Sequence, residues 1–127
     1  MNRLLPPLAV ALGGSAGALA RYAINLLSPR LFGRSFPVGT LFINLTGSFA
    51  LGYFLARVSR GWPVPEPLQL AVTVGFLGAY TTFSTFMSES DTFLRTGLPA
   101  RAFLYLFLSL ALGLASVRLG VITGQRF

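Results

Sequence analysis

The sequence predicts an all-α membrane protein with four transmembrane helices, and three observations lead there. Its 127 residues are 54% hydrophobic and only 10% charged, a composition too apolar for a soluble domain of this size. The apolar residues gather into four runs, roughly 4–27, 38–56, 68–94 and 100–122, each near the ~20 residues that cross ~30 Å of hydrocarbon. The connections SPRLFGRSFP, SRGWPVPEP and RTGLPA are short and full of turn formers. They leave no room for a soluble domain, so residues 1–127 read as one four-helix domain.

The first run is too long for a signal-peptide core and continues apolar through Tyr22 to Leu27 without a small-residue cleavage site, so it reads as a retained span. Within it, GGSAGALARY (Gly13–Tyr22) places Gly13 and Gly17 four apart, with Ala16 and Ala20 repeating the spacing. Small residues let helices approach closely in lipid, so this face is expected to meet another helix. In the second run, GTLFINLTGSFALG (Gly39–Gly52), Thr40, Asn44 and Ser48 recur every four residues and share a face. An asparagine at membrane depth must find partners. Its amide serves either as glue between helices or as a pair of donors to an anion.

The third run carries GFLGAYTTFSTF (Gly75–Phe86), which sets five hydroxyl side chains (Tyr80, Thr81, Thr82, Ser84 and Thr85) and the phenylalanines Phe83 and Phe86 into the middle of a span. Irregular, polar backbone at that depth is tolerated only where protein buries it or a water-filled path passes it. Gly78 to Thr82 at the midpoint is the expected place for this helix to break, and a break frees carbonyls that suit a monovalent cation. The fourth run has Tyr105 and Ser109 one turn apart and Ser116 two turns further on, a thin line of hydroxyls on a leucine-rich surface. Trp62 in the middle connection fits the headgroup level.

Composition also excludes function classes. Cysteine and histidine are absent and only Glu66, Glu89 and Asp91 are acidic, so no nucleophile and base can be assembled around an orienting group, and the protein is not expected to be an enzyme. The net charge of +7 comes from ten arginines. They flank apolar spans, where they meet lipid headgroups rather than nucleic acid. With four crossings, Arg3, Arg57, Arg60 and Arg126 face one side while Arg30, Arg34, Arg95 and Arg101 face the other. That balance gives the positive-inside rule nothing to choose between, so insertion both ways up and pairing as an antiparallel homodimer are expected.

The string GFLGAYTTFSTF closely resembles the GxxGxxTTFSTF signature of the small fluoride channels called Fluc or CrcB. The second-run motif resembles that family's GTLxxNxxGxFxLG pattern, and GGSAGALARY its first-helix glycines followed by arginine; the likeness extends over about residues 10 to 116. It implies a passive fluoride channel in the cell (plasma or inner) membrane that relieves fluoride toxicity. By the same resemblance Asn44, Phe83 and Phe86 line fluoride's route, Tyr105 and Ser109 flank it, and Arg21 belongs to its mouth, a lipid anchor being the other reading of that arginine. The family's structural sodium ion at the dimer centre implies backbone carbonyls of Gly78 and Thr81 as ligands.

The chemistry agrees with that implication. A small anion crossing hydrocarbon needs its water replaced by donors, and Asn44, Ser84, Thr85, Tyr105 and Ser109 supply amide and hydroxyl hydrogens. Phenyl rings have a positive edge, so Phe83 and Phe86, three apart on one helix side, suit an anion as well. Two alternatives stand beside this reading. A small multidrug-type exporter is expected to carry a glutamate in its first helix, and this chain has no acid before Glu66. A non-transporting membrane assembly protein would use the polar stripe only as helix glue.

Overall fold

A computed structural model describes residues 3–127, and every regular element in it is helical. Helix α1 (Leu5–Phe32) and helix α2 (Val38–Ser59) are followed by a composite third span. That span comprises α3 (Glu66–Leu70), a π-helical stretch (Ala71–Leu77), α4 (Gly78–Tyr80) and α5 (Phe83–Arg95), and α6 (Pro99–Arg126) completes the chain. Among the described residues, four helical segments, 5–32, 38–59, 66–95 and 99–126, are long and apolar enough to cross a membrane.

The helices outrun the apolar runs that announced them. The apolar run predicts an end near Leu27, whereas helix α1 continues to Phe32, with Pro29 inside its last turns. Proline's missing N–H leaves the Asn25 carbonyl without its helical donor, a loss that is small so near the helix end. At 1.5 Å per residue the 28 residues of α1 span about 42 Å, more than the ~30 Å of hydrocarbon, so hydropathy marks the membrane and not the helix. Gly33 ends α1 at φ 79°, a backbone state open to glycine and costly for other residues. The loop that remains is short. Arg101 Nη1 donates to the Ser35 carbonyl at 3.3 Å, tying this loop to the start of α6.

Glycines decide the packing. Helix α1 lies along α3, the π-helical stretch and α4, and a Cβ at Gly13 would overlap the Ala71 carbonyl while one at Gly17 would overlap that of Phe76. The small-residue face read from the sequence therefore meets backbone directly. Helix α2 packs chiefly on α6, through glycines that sequence reading passed over: Gly52 against the Val117 carbonyl, Gly120 against that of Phe49 and Gly124 against that of Tyr53. Gly17→Ala is expected to destabilise the protein by about 1–3 kcal/mol, because backbone and not a flexible side chain must move. Gly14→Ala is the control, since its Cβ would meet only the Gly75 carbonyl at an ordinary 3.8 Å. Thermal unfolding in detergent compares the two, and equal midpoints would contradict this packing.

The third span breaks within the expected stretch Gly78 to Thr82, at its threonines and not at its glycine. Gly78 is helical at φ −64°, ψ −38°, whereas Thr81 (ψ 156°) and Thr82 (φ −149°, ψ 116°) are extended. β-Branched threonines suit extended backbone, and Thr82 can also cap the helix that follows. The break gives the span two sets of neighbours: its first half packs on α1, its second half on α6. Nothing in the apolar pattern predicts the π-helical stretch.

Candidate functional site at the helix break

The site is built around how Thr81 and Thr82 leave and re-enter helix. Thr82 N–H would ordinarily close onto the Gly78 carbonyl; it is given instead to Asn44 Oδ1 at 2.9 Å. Asn44 Nδ2 returns a bond to the Thr82 carbonyl at 3.1 Å. The Thr82 hydroxyl then accepts from Thr85 N–H at 3.2 Å, the bond of an N-cap, and donates to Thr85 Oγ1 at 3.0 Å. Two helical donors are thus diverted, those that would have met the carbonyls of Gly78 and Thr81. Both carbonyls belong to residues of the one broken turn, and unwound backbone carbonyls are groups that can take part in coordinating a monovalent cation.

Beside the break lies a groove of about 290 Å³ whose walls include Asn44, Ser48, Thr81, Thr82, Phe83 and Phe86. The rings of Phe83 and Phe86 meet edge to face, centroids 6.1 Å apart and planes at 72°. Phe86 is buried, 4% exposed, while Phe83 is 72% exposed. Phe86 in turn meets Tyr105 edge to face at 4.9 Å and 86°, so the pair joins the fourth span. One turn on from Tyr105, the Ser109 hydroxyl is buried with no partner among the described residues. A buried hydroxyl left without a partner is costly and marks a place where something else supplies the bond.

The structure thus gathers Asn44, Phe83 and Phe86 at the groove with Gly78 and Thr81, and Tyr105 behind Phe86, while Ser109 stands one turn along α6 from Tyr105 and lines no part of the groove. Other expected residues have different duties. Thr85 is committed to the cap of α5, and Asn44 spends its amide on Thr82 backbone, so its first role is to hold the break. Ser84 is exposed and lines no part of the groove. Arg21 is half-buried on α1 and likewise stands outside it.

Sequence reading left Glu89 without a role, and the structure supplies one. Its Oε1 accepts the Thr40 hydroxyl at 2.8 Å and its Oε2 the Tyr105 hydroxyl at 2.7 Å. Thr40 and Tyr105 are fully buried, at 2% and 0% exposure, so the carboxylate ties α2, α5 and α6 together. The signal was available: Thr40 lies one turn before Asn44, Tyr105 one turn before Ser109, and Glu89 one turn after Phe86. One acid at that height on a hydroxyl-bearing bundle has few other partners.

The chain matches known proteins over most of its length. Residues 8–121 match the family described as CrcB-like protein, Camphor Resistance (CrcB). A fluoride-specific ion channel FluC from Trichormus variabilis is 44% identical over 120 residues, covering 94% of this chain and 88% of its own. A protein of the same name from Shewanella woodyi is 46% identical over 122 residues, 94% of each chain. Another from Acidobacterium capsulatum is 44% identical over 117 residues, 92% of this chain and 94% of its own. The match takes in the clamped break, the ring pair and the hydroxyl line together, and the chain belongs to the CrcB family.

Proposed function

We propose that this protein is a fluoride-selective passive channel of the cell membrane that lets fluoride leave the cell, a conductor of ions and not an enzyme. The observation that carries the proposal is the edge-to-face pair Phe83 and Phe86 beside the Asn44-clamped break, in a groove at the middle of a membrane span. Ring edges and hydroxyl hydrogens replace the water an anion sheds, and no fixed positive charge lies in the groove to trap it. Relatives across this length carry the name fluoride-specific ion channel.

The conducting unit is an antiparallel homodimer. Polar backbone and hydroxyls in a groove that opens on the outside of one protomer cannot face lipid, so a second copy covers them. The even split of flanking arginines lets copies insert both ways up. A sodium ion held by the carbonyls of Gly78 and Thr81 fits the two diverted donors, and when bound it supplies a positive charge that fixes the broken turns of the two copies. The residues of the chain do the rest. Asn44 holds the break open, Phe83 and Phe86 present edges, and Tyr105 and Ser109 carry hydroxyls along α6. A negative-inside potential drives an anion outward with about 2.3 kcal/mol per charge per 100 mV, so export needs no coupling.

Fluoride efflux from liposomes holding the purified protein, read with a fluoride electrode under an imposed potential, tests this. Rapid fluoride release, negligible chloride release and no response to a proton gradient are expected. Folded protein that releases no fluoride would return the polar stripe to helix glue, and flux that follows the proton gradient would replace passive conduction with coupled transport.

A further inference from the structure

We propose that the chamber between the end of α1 and α5 is a second anion-holding site, the opposite mouth of the conduction route, where Arg34 draws fluoride in and Glu89 forms the inner wall. The inference rests on the channel reading above. The chamber is a half-open cleft of about 420 Å³, with Asn25, Ser28, Arg34, Phe36, Glu89 and Phe93 in its walls.

Continuity with the groove is the first reason. The chain of ring contacts that begins with Phe83 and Phe86 in the groove passes to Tyr105 and does not stop there. Tyr105 meets Phe36 edge to face at 5.3 Å and 79°, and Phe36 meets Phe93 at 6.3 Å. Groove and chamber therefore sit at the two ends of one aromatic series, with the fully buried Tyr105 between them. The hydroxyl of that tyrosine points to Glu89, which faces the chamber.

Charge is the second. Arg34 is exposed at the chamber wall and has no acidic partner within ion-pair distance, the one salt bridge among the described residues being Arg95 with Asp91. A cation set among the apolar walls of Phe36, Pro37 and Phe93 focuses its field into the cavity. Pro37, Val38 and Gly39 bring the positive end of the α2 dipole to the same space. Gly39 matters here because a Cβ would come within 2.9 Å of Ser28 Cβ and 3.0 Å of Asn25 Oδ1. Without it, the polar side chains of α1 reach the first turn of α2. An anion held at Arg34 stands short of Glu89, and passage inward requires Thr40 or Tyr105 to turn its hydroxyl hydrogen from the carboxylate to the ion. The carboxylate and the Asn25 carbonyl are acceptors, so the competing occupant is a cation, which Arg34 would repel.

Potassium fluoride efflux as a function of fluoride concentration separates the two. Arg34→Gln is expected to lower flux at low fluoride about fivefold, as loss of a focusing charge does. It raises the half-saturating concentration and leaves the maximal rate nearly unchanged. Arg34→Lys should retain most of the wild-type flux, and Arg30→Gln, an exposed charge outside the chamber wall, all of it. The gap between wild type and Arg34→Gln should close in high impermeant salt. Unchanged or faster flux in Arg34→Gln beside a conducting wild type would overturn the anion mouth alone. A wild type that does not conduct would overturn the channel reading and this inference with it. Should Arg34→Gln fail to fold, wild-type flux that is indifferent to impermeant salt would overturn the proposal.

Discussion

Phe83→Ile is expected to reduce fluoride efflux at least about tenfold, the loss that follows when an ion's barrier rises by about 1.4 kcal/mol, while the protomer keeps its stability. The separation of the two effects comes from where the rings lie. Phe83 is 72% exposed and its ring meets Phe86 on one side, so isoleucine removes an edge over the groove without opening a cavity in the protomer. The β-branch costs about 0.5 kcal/mol or less in helix propensity. Phe86 offers no such separation. At 4% exposure and packed edge to face on Tyr105, its truncation to alanine costs about 3–5 kcal/mol and disturbs the fold along with the flux. Paired measurements of efflux and thermal midpoint on Phe83→Ile therefore test the ring's contact with the ion. Wild-type flux in folded Phe83→Ile protein would remove Phe83 from the route.

The difference between these two phenylalanines shows where sequence reasoning stops. Their spacing of three places both on one side of a helix, and that much is legible. That one is buried under Tyr105 while the other opens to the outside depends on how α5 meets α6, which no local pattern records. The four spans were legible because lipid imposes a length and a composition on any crossing helix. The clash-free approach of α1 to the third span was legible in Gly13 and Gly17, since only small residues allow it. The pairing of α2 with α6 through Gly52, Gly120 and Gly124 was not, because isolated glycines in a membrane span carry no signal of what they face. The break is expected within Gly78 to Thr82 and lies at the last two of these residues, Thr81 and Thr82; that it falls on the threonines and not on the glycine has its reason 38 residues earlier, in Asn44. Glu89 was passed over for a related cause: its two donors, Thr40 and Tyr105, come from different helices.

Asn44 carries the other large expectation, and the structure changes its form. Read from sequence, Asn44→Asp suppresses flux while leaving assembly intact, as the loss of an ion's donor would. With both amide atoms bonded to Thr82, the residue instead maintains the break, and Asn44→Leu becomes the decisive variant. Leucine removes both bonds and leaves a buried Thr82 N–H, at a residue 6% exposed, without its acceptor. An orphaned buried donor costs about 1–3 kcal/mol, and the chain has one ready remedy. Thr82 N–H can return to the Gly78 carbonyl and close the helix across the break. A continuous third span would turn α5 about its axis, carrying Phe86 away from Tyr105 and Glu89 away from the Thr40 and Tyr105 hydroxyls. The same closure removes the freed Gly78 carbonyl from a cation. Fluoride efflux should then fall by about a hundredfold or more, the equivalent of roughly 2.7 kcal/mol on the barrier, and any stabilising effect of sodium on the protein should be lost. Asn44→Asp keeps the acceptor for Thr82 N–H but returns no hydrogen to the Thr82 carbonyl, so its defect should fall between wild type and leucine. Efflux and thermal stability with and without sodium distinguish these outcomes. Wild-type flux in Asn44→Leu would mean that the two threonines hold the break unaided; lost flux with sodium stabilisation intact would return Asn44 to direct contact with the ion.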